Sequence, residues 1–176
     1  MEVHSKQHPE FTTVTCLAWK PLLEDDKHKQ VIVDSLQFLV KEKRITVYAF
    51  VPIAIGMINH FHMIWQINGD HARESVQRDF LKYTGQQILK HLRNDKSPVL
   101  QELLVSAKDR KHQVWERNSL GVPLWTTKVM WQKLDYIHNN PVRAGLCQYP
   151  WDYRYSSARY YLKNEKDWEL LVHVDG

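Results

Sequence analysis

Cysteine is almost missing from this 176-residue chain: only Cys16 and Cys147 occur, far apart, and they fit no metal or redox spacing. Buried free thiols in a reducing compartment are the expectation. Long apolar runs are missing too. None approaches the roughly 20 residues that cross a bilayer, so no membrane partner is expected. The opening residues, MEVHSKQHPEF, are acidic at position two and lack an apolar signal core, which argues against secretion and for a cytoplasmic location. No internal repeat, low-complexity tract or Gly/Ser-rich linker divides the chain. One domain covering residues 1–176 is expected, large enough to bury a core.

Aromatic and basic residues are plentiful. The chain has 7 Trp and 8 Tyr beside 24 Lys and Arg, for a net charge of +4. Such a mixture suits stacking on bases next to phosphate contacts. It equally describes aromatics in a core and lysines in water. The charge permits a nucleic-acid partner without demanding one.

FTTVTCLAW, rich in β-formers, reads as a first strand closed by KPLLEDD. In KHKQVIVDSLQFLVKEKR, Ile32, Leu36, Leu39 and Val40 recur at helical spacing, and its basic end suits a helix C-terminus. ITVYAFV reads as a strand. In MINHFHMIWQI, Phe61, Met63, Trp65 and Ile67 alternate with His60, His62, Ile64 and Gln66. That is period two, a strand with one apolar face and one carrying the histidines. PIAIGM between these strands reads as a turn or bulge. HARESVQRDFLKYTGQQILKHLRND is a long helix with Val76, Phe80, Thr84, Ile88 and Leu92 as its buried stripe, and Gly85 marks a close approach. SPVLQELLVSA starts another, with Ser97 as cap and Pro98 in the first turn. HQVWERN and GVPLWT read as short strands or an irregular excursion, and TKVMWQKLDYIHNN as a helix ending near Pro141. This order predicts an α+β fold, a ferredoxin-like or RRM-like sandwich with a mainly antiparallel sheet flanked by helices.

Two elements carry chemistry. Residues two apart on a strand lie roughly 6.5–7 Å apart on the same side, so His60 and His62 can converge on one divalent ion. A pair of hydrogen-bonded structural histidines is the other reading. On the helix KLDYIHNNPVRAGL, Tyr136 lies about 200° around from Leu134, off the Met130/Leu134/Ile137 stripe. Asn140 follows it at i+4 on the same face. Asn140 also reads as an N-cap, with Pro141 at N1 and Gly145 as a stop. His138, two residues past Tyr136, reads as structural. Gln66 shares the histidine face. Lys108, Arg110 and Lys111 in AKDRKHQ, and Arg154 and Arg159 in YPWDYRYSSARYY, are candidates for DNA contact, against an exposed turn and a core-capping segment respectively.

NHFHMIWQ, followed by YIHNNPVRAGL and YSSARYY, closely resembles the REP-associated tyrosine transposases, the single-tyrosine branch of the HUH nucleases. The resemblance runs from TVTCLAWKPLL to SSARYY. It implies that His60 and His62 hold the metal, Mg²⁺ or Mn²⁺, that Asn140 completes the site, and that Tyr136 is the nucleophile. The implied activity is cleavage and rejoining of single-stranded or hairpin DNA through a 5′-phosphotyrosine. The implied partner is DNA, with a homodimer allowed. Two other classes stay open: a non-catalytic single-strand binding module, and a metal-dependent phosphodiesterase in which Tyr136 is structural. The chain departs from the family pattern Val-Ile-Met-Pro-Asn-His, reading VPIAIGMINHFH with four extra residues and no proline before Asn59. An even insertion keeps the histidines on their face unless a bulge intervenes.

Overall fold

The computed structural model describes residues 8–55 and 58–176. Strands β1 (Glu10–Thr15), β2 (Ile45–Ile55), β3 (Ile58–Ile67) and β4 (Leu120–Pro123) form one sheet in the order β2-β3-β1-β4, with every neighbouring pair antiparallel. Helix α1 (Asp26–Lys41) follows β1, and α2 (Arg73–Asn94) follows β3. This is the expected ferredoxin-like order. A short α3 (Val99–Glu102), the long α4 (Thr127–Arg143) and α5 (Ala158–Leu162) are the remaining α-helices among the described residues.

The first strand ends earlier than its composition predicts. Thr15 is its last residue, and Ala18 and Trp19 take φ of 49° and 52°, which turns the chain out of the sheet. Asp25 then caps α1, its carboxylate accepting from the Lys27 amide at 2.9 Å. In α2, Gly85 packs against side chains, Val114 and Trp115, rather than against another backbone. The helix at Pro98 is a single turn, with the Val99 amide donating to the Ser97 hydroxyl. HQVWERN is irregular and is pinned by Trp115, buried with its indole N–H on Thr84 (3.0 Å).

Both sheet faces are covered, so the expected division of β3 into an apolar and a histidine-bearing face is only half right. On one side Phe61, Met63 and Trp65 meet Ile32, Leu36 and Leu39 of α1 and Val76, Phe80 and Ile88 of α2. On the other, Phe11, Ile64, Ala49, Val51 and Ile53 meet Met130, Leu134 and Ile137 of α4. Double coverage explains why β2 reads as an almost unbroken apolar run. The face that an RRM leaves open to bases is thus occupied by α4.

The hairpin before His60 keeps its register. Ile55 pairs with Ile58, Ile53 with His60 and Val51 with His62, and Pro52 sits on an edge strand where its missing N–H is tolerated. Of PIAIGM, expected to turn or bulge, residues 52–55 instead continue β2 in register, and Gly56 and Met57 lie outside the described residues. The register shift falls instead between Val47 and Ala49. There the Tyr48 carbonyl accepts the Tyr161 hydroxyl (2.9 Å), and Ser157 hydrogen-bonds both backbone groups of Phe50. SSARYY therefore docks on a sheet irregularity and closes the core.

Candidate active site

The site forms where β1, β3 and α4 meet. Antiparallel pairing sets Thr13 of β1 opposite His62 and Thr15 opposite His60. The two imidazoles lie side by side, ring centroids 4.4 Å apart. Thr126 caps α4 by accepting from the Val129 amide at 3.2 Å, and the Met130/Leu134/Ile137 stripe then seats the helix on the sheet. With that stripe buried, Tyr136 reaches His62, the two rings T-shaped at 5.3 Å, and Phe11 at 5.9 Å. Phe11 stacks on His62 at 5.1 Å, so the three rings form one mutually contacting cluster. Tyr136 stays 39% exposed while His62 is 4% exposed.

Helix α4 does not stop at Pro141. It runs through to Arg143 and ends in a Schellman turn, the Leu146 amide donating to the Pro141 carbonyl and the Gly145 amide to Val142, with Gly145 at φ +74°. Asn140 is therefore inside the helix and is not an N-cap, a correction to that reading. Pro141 offers no N–H to the Ile137 carbonyl, so the helix forgoes that hydrogen bond, and Pro141 is buried with the stripe. Gly145 does act as the stop.

The imidazoles meet a demanding test for a metal. Nε2 of His60 and Nε2 of His62 are both buried and have no hydrogen-bond partner, which is costly for a core. A divalent ion relieves that cost, so the residues present fit one. Burial pushes His62 down to about 3, with His60, Lys133 and Arg143 adding repulsion, and burial lowers His60 as well. Both rings are neutral at physiological pH, as ligation requires. Among the described residues no group of three or more His, Cys, Asp or Glu could hold a metal. Asn140, the third residue expected at the metal, lies one turn beyond Tyr136 on α4 and is partly exposed.

Two cations on α4 escaped the sequence reading. Lys133 Nζ lies 4.7 Å from the Phe11 ring centroid and 5.6 Å from that of Tyr136, and the Arg143 guanidinium lies 4.6 Å from the Tyr136 ring. Arg143 also donates to the Tyr136 carbonyl at 3.0 Å. Lys133, Tyr136, Asn140 and Arg143 recur at steps of three and four, so the signal was a helical stripe.

The remaining candidates are placed elsewhere. Arg110 pairs with its neighbour Asp109, and Lys108 and Lys111 are exposed in the same loop. Arg159 donates to the Trp151 carbonyl at 2.7 Å and faces Asp167 and Glu165, which gives it a structural role. Arg154 lies over Tyr155. Gln66 accepts from the Tyr48 hydroxyl at 3.1 Å. His138 is structural as expected, its Nε2 paired with the Ser157 hydroxyl at 2.8 Å. Among other tyrosines, Tyr153 donates to the Pro52 carbonyl at 2.7 Å, and burial raises its phenol well above the usual range.

No protein-family model and no curated protein matches this sequence. Among solved structures, the chain is similar to a REP-associated tyrosine transposase bound to a REP hairpin. The TM-score is 0.64 at 17% identity, covering 98% of this chain and 87% of that one. A Deinococcus radiodurans R1 protein assigned as a transposase is a weaker match, with TM-score 0.48, 10% identity, and 79% and 95% coverage. The chain has the α+β fold of a REP-associated tyrosine transposase.

Proposed function

We propose that this chain is a single-domain DNA strand transferase of the REP-associated tyrosine transposase kind, acting on single-stranded or hairpin DNA. The observation that carries the reading is the Tyr136 ring packed T-shaped, 5.3 Å from that of His62, whose buried Nε2, like that of His60, has no partner. The transposase with which it shares its fold is bound to a REP hairpin, which supports hairpin DNA as the substrate class.

In this reading His60, His62 and Asn140 hold Mg²⁺ or Mn²⁺. When bound, the ion neutralises and polarises the scissile phosphate. Lys133 and Arg143 flank the phenol, where they meet the phosphate oxygens. Tyr136 Oη loses its proton to solvent and attacks phosphorus. The bond from phosphorus to the 3′ oxygen breaks, that oxygen leaves as a 3′-hydroxyl, and a 5′-phosphotyrosine forms. Attack by another strand's 3′-hydroxyl reverses the step and frees the phenol, with no ATP.

Labelled hairpin DNA incubated with the protein and Mn²⁺, then resolved by denaturing electrophoresis, tests this directly. A covalent adduct is expected from the wild type and none from Tyr136→Phe, which keeps ring, fold and DNA binding. Turnover without an adduct supports the phosphodiesterase reading. DNA binding with neither product supports a binding module.

A further inference from the structure

We propose that Thr13 is a positioning residue that selects Nε2 as the metal-facing nitrogen of His62, an inference that rests on the metal reading of the site. Thr13 and His62 are register partners across β1 and β3, and the Thr13 hydroxyl lies 2.8 Å from His62 Nδ1. Nδ1 is therefore already engaged, and Nε2 is the nitrogen left buried without a partner. Ligation through Nε2 needs its lone pair, so the ring proton sits on Nδ1 and is donated to the Thr13 oxygen. Phe11 stacks on the ring at 5.1 Å and Tyr136 packs T-shaped against it. Turning the ring over replaces Nδ1 with a carbon and forfeits the hydrogen bond. Threonine suits the task because its branched Cβ restricts χ1 on a strand. The arrangement is that of metal-ligating histidines generally, whose second nitrogen is fixed by an oxygen acceptor.

Two measurements decide it. Thr13→Val keeps shape and strand preference but removes the acceptor, and Mn²⁺ affinity read by water-proton relaxation is expected to weaken about 10–100-fold. Thr13→Ser is expected to restore it. Long-range ¹H–¹⁵N spectra of the metal-free wild type should place the His62 proton on Nδ1, and Thr13→Val should move it to Nε2. If Thr13→Val fails to fold, Thr13→Ala replaces it, and the wild-type spectrum needs no variant. A proton on Nε2 in the wild type, or unchanged affinity in a folded Thr13→Val, overturns the role of Thr13. A wild type that takes up no Mn²⁺ even with DNA overturns the metal reading instead, and the spectra still decide whether Thr13 sets the tautomer.

Discussion

Lys133, Asn140 and Arg143 share one stripe of α4 with Tyr136. In the proposed function Tyr136 supplies the oxygen and Asn140 a neutral ligand one turn on, while Lys133 and Arg143 place positive charge over the Tyr136 ring. Arg143 does two things, since it covers the Tyr136 ring and also holds the Tyr136 carbonyl. Arg143→Ala is therefore expected to lower adduct yield more than Lys133→Ala, by about 10²-fold if it meets the transition-state charge. Each variant should reduce the slope of log affinity against log salt for single-stranded DNA by about 0.7. Arg143→Lys should recover the salt slope but only part of the yield, because an ammonium lacks the planar fork. Filter binding over a salt series and adduct quantification read both. An unchanged salt slope in both alanine variants removes these cations from the phosphate path.

At the scale of elements, glycine marks two positions of opposite meaning. Gly121 on β4 pairs with Thr12, and a Cβ there reaches the Arg73 guanidinium and lies 2.9 Å from Glu10 Oε1. Those two side chains form a bidentate ion pair at 2.8–2.9 Å, with Thr12 and the Trp65 indole also donating to Glu10. Burial alone raises the Glu10 carboxyl, but these partners overcome it and hold it below its usual value. Gly121→Ala must displace that network and is expected to cost about 1–3 kcal/mol. Gly85→Ala is expected to do the reverse. Its Cβ falls at 3.7–3.8 Å from Val114 and Trp115, ordinary contact, and mid-helix glycine is about 0.5–1 kcal/mol worse than alanine. Urea denaturation of the two variants, read at constant m-value, checks both signs.

For the whole molecule, the buried histidines set the response to acid. Burial carries His138 down to about 4 and His62 to about 3, and lowers His28 and His60 too. In the unfolded chain each titrates near 6.5. Below that pH the unfolded state binds protons that the folded state refuses, so stability falls with pH. The contribution is fully present above about pH 6.5 and drains away toward pH 4 and below. Urea midpoints between pH 7.5 and 4.5 should decline steadily, and His138→Gln should flatten the decline, whatever its cost at pH 7.5. A midpoint that rises on acidification contradicts the burial of these rings.

Much of the site was written in local periodicity. Alternation along β3 puts His60 and His62 on one side, because strand side chains repeat every two residues. Helical spacing separates Tyr136 from the Leu134 stripe and aligns it with Lys133, Asn140 and Arg143. These follow from backbone geometry within one element, so sequence alone determined them. What tertiary structure decided involves partners far apart in the chain. Thr13 meets His62 across 49 positions, a pairing that depends on strand register. Only packing decided that α4 covers the histidine face, since its apolar stripe fits either side of a sheet. The continuation of α4 through Pro141 was hidden for a related reason: a proline without an N–H ends a helix by local rules, and here the buried stripe and the Gly145 turn carry the last residues past it.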